Sequence, residues 1–457
     1  MTLPASFLQS ISNAPGYSKI DFVNVHQSGE QVTSIRINPG KNVEDDLCIR
    51  NYVSHKIPWS SCGYYLTERP SFTLDPHFHA GAYYVQEASS MFLEQALIQT
   101  AHLQQPLKIL DLCAAPGGKS TLIQSLLNKN SLLVSNEVIK TRVHVLAENI
   151  TKWGADNVVV TNNDPKDFKR LPAYFDVIVV DAPCSGSGLF RKDPAAAEEW
   201  SVNNVQLCSH RQQRITADVL PALKEDGILI YSTCSYSPQE DEDIADWLVN
   251  KEAMESVPLS IQPAWGIVPS QSAVHKAYGY RFYPDKLKGE GFFIAVFRKK
   301  REEIRTPSGK IKNKKSNATV AEKDVLKNYI TNSDEYFFAR QNDQLLAVPL
   351  QFENDLHILQ AALYIKKAGV RTGAVIRHGL IPDHELAVSN IISSGVPHAA
   401  VDEATALQYL RRQEFILPDN IRGWHLVTHR KLALGWVKIL PGRVNNYYPR
   451  EWRILNK

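Results

Sequence analysis

A doubly wound α/β domain, with a small α+β region before it and a second globular region after it, is the fold class predicted by this sequence. Three observations carry that prediction. Short apolar runs recur between about 107 and 231, the one at Val177–Val180 entirely β-branched, as suits buried parallel strands. Helical periodicity fills most of the intervals between them, which is the alternation of a parallel sheet covered on both faces. Two of the runs stop abruptly in small, acidic or thiol residues, and in such sheets function gathers at the carboxyl ends of the strands.

Taken in order, residues 1–90 are mixed. An alternating strand pattern at Val32–Asn38 is followed by aromatic and histidine-rich segments around Trp59, Tyr64, Phe72 and Tyr83, a small α+β domain expected to bind RNA. The regular domain is placed at 91–298: a helical stretch at Met91–Thr100, then strands at Leu107–Leu112, Leu132–Asn136, Val158–Thr161, Phe175–Val180 and Gly227–Tyr231. Residues 299–319 form a basic linker or a phosphate-contacting arm. Within it, 299–315 hold eight Lys or Arg against two Glu. Residues 320–457 make the last globular region, and the chain has no internal repeats.

Composition excludes more than it proves. A formal charge of +3 over 457 residues makes no general case for nucleic acid, so any basic surface must be local. Cysteines at 48, 62, 113, 184, 208 and 234 show no zinc spacing and read as reduced thiols, so no metal site is expected. The start has neither a basic n-region nor a long apolar core, and no run is long enough to span a bilayer. A cytoplasmic monomer without membrane contact is expected.

Val177–Gly188 reads Val-Ile-Val-Val-Asp-Ala-Pro-Cys-Ser-Gly-Ser-Gly, a strand that delivers Asp181 and Cys184 to the sheet edge. Pro183 ends the strand, because it cannot donate to the ladder. Leu107–Thr121 is a strand entering a glycine turn and then a helix, a setting in which backbone N–H groups can approach a ligand. Walker-type spacing is absent. Glu137 lies 20 residues beyond Gly117, where an acid can accept from both ribose hydroxyls, and Asp164 adds an acceptor after the next strand. Together these residues describe a nucleoside pocket. Leu229–Ser237 carries Cys234 off the neighbouring strand, so Cys184 and Cys234 should face one cleft with Asp181. Lys119 is the candidate cation favouring a thiolate there. Such a site suits attack on an electron-poor ring carbon, with an acid on a ring nitrogen. A structural role for a buried cysteine, or a disulfide, is the plainer alternative.

Asp111-Leu-Cys-Ala-Ala-Pro-Gly-Gly-Lys-Ser, Asp181-Ala-Pro-Cys-Ser-Gly-Ser-Gly and Ser232-Thr-Cys-Ser resemble, in order, the signature motifs of the Sun-type (NOL/NOP/Sun) RNA cytosine-C5 methyltransferases. Arg281-Phe-Tyr-Pro and Gly289-Glu-Gly-Phe-Phe resemble that family's late segment, and the likeness covers roughly 30–298. The resemblance implies a Rossmann-like methyltransferase domain with S-adenosylmethionine held by Cys113, Ala114, Ala115, Pro116, Gly117, Gly118 and Lys119. It puts Glu137 on the ribose, Asp164 near the adenine and Asp181 at the junction with the target base. It implies that Cys234 attacks C6 of cytosine, that C5 takes the methyl group, and that Cys184 assists loss of the C5 proton and release.

The tail interleaves basic and aromatic residues in Leu434–Gly442 and Asn445–Arg453, suited either to RNA contacts or to core packing. It resembles the PUA-like region of the bacterial ribosomal-RNA branch. The function expected is C5 methylation of cytosine in small-subunit ribosomal RNA or an assembly intermediate. Transfer RNA is the rival substrate, and a non-catalytic ribosome-assembly factor the rival class. A DNA enzyme using a Pro-Cys nucleophile would leave Cys234 without a role.

Overall fold

The computed structural model describes residues 3–41, 48–300, 318–377, 379–418 and 420–455, so most of the basic stretch 299–319 lies outside the described residues. Five parallel strands form the centre of a sheet, in the spatial order Leu223–Thr233, Phe175–Asp181, Lys108–Asp111, Leu132–Asn136 and Val158–Thr161. The doubly wound expectation holds. Antiparallel strands Phe292–Lys299, Tyr278–Phe282 and Val268–Gln271 extend it beyond Leu223–Thr233, and Met254–Val257 pairs with the other end of Phe292–Lys299.

The strand residues divide between the two faces with the period of two that pleating imposes. Ile178, Val180, Leu229 and Tyr231 join one core, while Val177, Val179, Ile228 and Ile230 join the other. All eight side chains are buried, and each such burial contributes roughly 2 kcal/mol. Strand ends differ slightly from the sequence pattern. The strand expected at Gly227–Tyr231 runs from Leu223 to Thr233, which sets Cys234 immediately beyond its last residue. The helix expected from Met91 begins as a 3-10 turn, Ser89–Phe92, and becomes α-helical at Leu93.

The small N-terminal sheet has the order Val53–Lys56, Gly63–Leu66, Ser34–Ile37 and Tyr83–Val85. Arg36 of this sheet is buried and docks it on the helix Gly118–Leu126. Its guanidinium donates to Gln86 Oε1 at 2.9 Å, to Thr121 Oγ1 at 2.6 Å and to the Gly118 carbonyl at 3.3 Å. Burial lowers its pKa to about 10, which leaves it charged at neutral pH.

Residues from 318 onward form two pieces. Tyr336–Gln341, Gln344–Pro349, Val370–Ile376 and Gly379–Pro382 make one four-stranded sheet, and His398–Ala400, Gly423–His429, Leu432–Leu440 and Arg443–Asn446 make another. Neither stands apart. Ile365–Ala368 pairs antiparallel with Val158–Thr161 as an edge strand of the central sheet, and Phe352, Leu356, Leu359 and Leu363 complete that sheet's core on one face. Tyr409, Val427, Val437 and Tyr448 share a core with Ile35 and Tyr83 of the N-terminal sheet and with Phe72 of the 3-10 turn beside it. The tail aromatics split between the two roles open to them. Trp436 and Tyr448 are core, whereas Tyr447 is 40% exposed beside Arg412 and Arg450 in a shallow cleft.

Candidate active site

A cleft of about 530 Å³ opens at the carboxyl ends of Lys108–Asp111, Phe175–Asp181 and Leu223–Thr233. Cys113, Ala114, Ala115, Pro116, Gly118, Lys119, Asp181, Cys184 and Cys234 all line it. Tyr84 and Glu87 enter from the N-terminal domain, and Glu290 and Phe292 from the late segment. The turn 113–118 meets the cleft through backbone and small side chains at every position but Gly117, which makes its bend, so a ligand can approach it closely. Gly117 has φ of 117°, and a Cβ there would press within 3.3 Å of Leu146. Only glycine fits that bend comfortably.

Lys119 projects from the first turn of Gly118–Leu126 onto Asp181, with Nζ 2.7 Å from Oδ2. Burial, the largest single influence, depresses its pKa, but the charge and hydrogen bond of Asp181, with Asp111 and Cys234 behind it, together hold it above its usual value. The other Asp181 oxygen accepts from Ser232 Oγ at 2.8 Å. Asp111, one strand away and fully buried, is pushed up to about 7 by burial, against the opposing hydrogen bond from Ser120 and the charge of Lys119.

The thiols meet. Cys184 Sγ and Cys234 Sγ lie 3.1 Å apart as free cysteines. The Cys184 thiol is raised well above its usual pKa, first by its hydrogen bond to Cys234 and then by burial. Their loops are sewn together by Glu240, a residue outside every motif singled out from the sequence. Its buried carboxylate accepts from Ser185 N at 2.8 Å, Ser185 Oγ at 2.5 Å, Ser235 Oγ at 2.6 Å and Gln212 Nε2 at 3.1 Å. Ser185 and Ser235 each follow one of the cysteines, so a single carboxylate fixes both. Gly188 brings the loops closer still: its N–H donates to the Cys234 carbonyl at 2.8 Å, and a Cβ there would sit 2.7 Å from the same oxygen.

Glu137 and Asp164 are placed differently. Both lie near the same sheet edge, but neither lines the cleft. Glu137 accepts from its own loop at Ile139 N, 2.9 Å, and faces Arg142 at 3.6 Å. Asp164 caps the 3-10 turn Pro165–Arg170 by accepting from Lys166 N at 3.1 Å. Arg142 does line the cleft and donates to the Ala115 carbonyl at 2.7 Å, linking Glu137 to the glycine turn. A nearby run of polar side chains is the only sequence signal for Glu240, and Arg36 has none beyond its place in a strand.

Residues 98–298 match the family described as 16S rRNA methyltransferase RsmB/F. Residues 3–88 match the N-terminal domain of 16S rRNA methyltransferase RsmF, and 397–454 the methyltransferase RsmF PUA domain. The chain is 30% identical over 440 residues to ribosomal RNA small subunit methyltransferase F of Aeromonas salmonicida, covering 92% of this chain and 90% of that one. To the same-named protein of Shewanella woodyi it is 30% identical, covering 98% and 96%. Among solved structures, a methyltransferase homologue from Pyrococcus horikoshii superposes with a TM-score of 0.52 and 27% identity, over 65% of this chain and all of that one. The chain therefore belongs to the ribosomal RNA small subunit methyltransferase F family.

Proposed function

We propose that this protein methylates C5 of a cytosine in small-subunit ribosomal RNA, through a covalent bond between Cys234 and C6 of the base. The observation that carries the reading is the pair of thiols 3.1 Å apart at the mouth of one cleft, beside the Lys119–Asp181 ion pair. One thiol is enough for attack. The second gives a reaction that must both add to a ring and leave it a group at each step.

The turn 113–118 and the cleft behind it fit S-adenosylmethionine: small residues allow close approach, and the volume suffices for a nucleoside with its amino-acid tail. Cys113, Ala114, Ala115, Pro116, Gly117, Gly118 and Lys119 would hold it, with Glu137 and Asp164 toward the adenosine once their own loop contacts yield. When bound, it supplies an electrophilic methyl group. Asp181 accepts from Lys119 and Ser232, which directs its carboxylate at the junction where a flipped base would present its ring nitrogen. Cys234 adds as thiolate to C6, and the ring electrons shift to C5, which would take the methyl group as the sulfonium S–CH3 bond breaks and S-adenosylhomocysteine is released. Cys184 then assists removal of the C5 proton, the C5–C6 double bond re-forms, and Cys234 leaves with the electron pair of the S–C6 bond.

The two thiols are separable by mutation. Cys184→Ala should still attack and transfer methyl, yet stay attached to its RNA as a shifted band on a denaturing gel that nuclease removes. Cys234→Ala should show neither adduct nor methylation. An adduct formed by Cys234→Ala and absent from Cys184→Ala would reverse the assignment. Bisulfite sequencing of RNA from cells with and without the protein identifies the base.

A further inference from the structure

A second cleft, of about 400 Å³, shares the wall Val85–Glu87 with the first. Its other lining residues are Gln31, Val32, Thr33, Ser34, Arg69 and Lys192. A base drawn from a polynucleotide into the first cleft stays tethered on both sides, so the strand must leave across an adjoining surface. We propose that this second cleft is the binding site for the RNA backbone flanking the target cytosine, with Arg69 and Lys192 as its phosphate contacts.

The wall between the clefts is rigid. Tyr83–Val85 pairs with Ser34–Ile37, Gln86 N donates to the Ser34 carbonyl at 3.2 Å, and Ser34 Oγ returns a bond to the Gln86 carbonyl at 2.6 Å. Arg69 is exposed, and its guanidinium rests over the Phe72 ring at 5.3 Å, which leaves its edges open to phosphate oxygens. Lys192 is exposed on the loop that follows the Cys184 motif, and among the described residues neither cation forms an ion pair, although Glu290 lies near enough to Lys192 to feel its charge. The carboxylate in the wall, Glu87, is already held by three backbone donors: Ser89 N and Ser90 N at 2.8 Å and Glu290 N at 2.9 Å. Glu87 lines both clefts, and with its oxygens satisfied by these bonds the exposed Arg69 and Lys192 set the charge of the second. Gln31 and Thr33 add uncharged polar groups along the same path, as a backbone contact without base readout needs.

The inference rests on the RNA-cytosine reading of the first cleft, and the test separates the two. Binding of small-subunit ribosomal RNA fragments carrying the target cytosine is measured against salt for the full chain and for Arg69→Ala/Lys192→Ala, both substitutions being at the surface. The variant should bind less tightly, and its slope of log affinity against log salt should fall by about 1.4, roughly 0.7 for each single-strand phosphate no longer neutralised. Affinity for S-adenosylmethionine and kcat at saturating RNA should not change. A neutral methylphosphonate placed at each linkage near the target should weaken the wild type at one or two adjacent positions and leave the variant indifferent there. Equal slopes, or a methylphosphonate effect that persists undiminished in the variant, would overturn the site. Absence of methylation or of C5 specificity in the wild type would sink the underlying reading instead, whatever the slopes.

Discussion

The two halves of one sheet edge are held in opposite ways. On the thiol side, the loops after Phe175–Asp181 and Leu223–Thr233 are joined from within, by a carboxylate that follows Cys234 closely in sequence. On the acid side, the loops after Leu132–Asn136 and Val158–Thr161 are held from outside. Tyr364 N donates to Asn163 Oδ1 at 2.9 Å, and the Tyr364 carbonyl accepts from Asn162 N and Asn163 Nδ2, both at 3.1 Å. Asn162 Nδ2 in turn reaches the Glu137 carbonyl at 2.6 Å. The half that would do covalent chemistry is thus locally self-sufficient, while the half that would hold the adenosine depends on residues far later in the chain.

That contrast is broken most severely by truncation. Ending the chain before residue 318 removes the edge strand Ile365–Ala368 and the buried Phe352, Leu356, Leu359 and Leu363. Exposing the sheet face they cover costs several kcal/mol, at roughly 2 kcal/mol for each large side chain. An RNA-facing tail alone would have such a truncation weaken RNA binding. The packing instead implies a large fall in thermal midpoint and a loss of S-adenosylmethionine binding, read by scanning calorimetry and titration. Unchanged cofactor affinity would show that the acid half stands without its outer support.

The thiol half is tested at Glu240. Glu240→Ala leaves the Ser185 N–H, the Gln212 amide and two hydroxyls without their buried acceptor, each worth about 1–3 kcal/mol if nothing replaces it. With partial repair by water, we expect a loss on the order of 3 kcal/mol in the transition state, about a hundredfold in kcat. Cofactor affinity should be untouched. Glu240→Gln keeps one acceptor oxygen and should recover part of the rate. A fall in cofactor affinity that matches the fall in kcat would join the halves that the geometry separates.

Glu290, on the wall of the thiol half, gives a pH-dependent comparison. Burial pushes it up to about 7 from the usual 4.5, although Arg191 at 3.8 Å and Lys192 pull it down. Because the folded value lies above the unfolded one, the protonated acid favours the folded state. Its contribution is fully present below about 4.5 and is lost as pH rises through about 7. Glu290→Gln imitates the protonated form, so the variant should gain on the wild type across that window, by up to roughly 3 kcal/mol, and run parallel to it above pH ~8. Urea midpoints at half-unit steps measure this. A constant difference throughout would mean that the carboxyl does not titrate there.

How much of this could be read from the sequence follows the same division. Five parallel strands were legible because each carries a short buried apolar run, wholly β-branched in Val158–Thr161 and Val177–Val180, and their ends put Lys119, Asp181, Cys184 and Cys234 in one cleft. Ile365–Ala368 was not, since Ile-Lys-Lys-Ala on a sheet edge has no alternation to reveal it, and Lys367 is buried only because Glu385 and the Gly369 carbonyl receive it. Glu240 was hidden for a related reason. It stands in Pro238-Gln-Glu-Asp-Glu-Asp243, which reads as a solvated helix start, and its burial follows from what Ser185 and Gln212 bring to it across the fold.

The smallest effect is expected where the acids of the nucleoside half already have partners. If Glu137 must exchange its Ile139 N–H bond for a ribose hydroxyl, the net gain per bond is less than that of a waiting carboxylate. Glu137→Ala should therefore weaken S-adenosylmethionine by about 1 to 2 kcal/mol in titration calorimetry, with kcat preserved once the cofactor saturates. Asp164 is half-buried and caps its own turn, so Asp164→Ala should lose about 1 kcal/mol of local stability through the cap and no more than that in affinity. Arg142 offers the sharper reading, because it faces Glu137 and also holds the Ala115 carbonyl of the glycine turn. Arg142→Ala frees both at once. If Glu137 is a ribose ligand, the Glu137→Ala and Arg142→Ala losses should not add, since each disturbs the same interaction. Simple additivity, or no effect in either, would remove Glu137 from the nucleoside pocket and leave the glycine turn as its surviving wall.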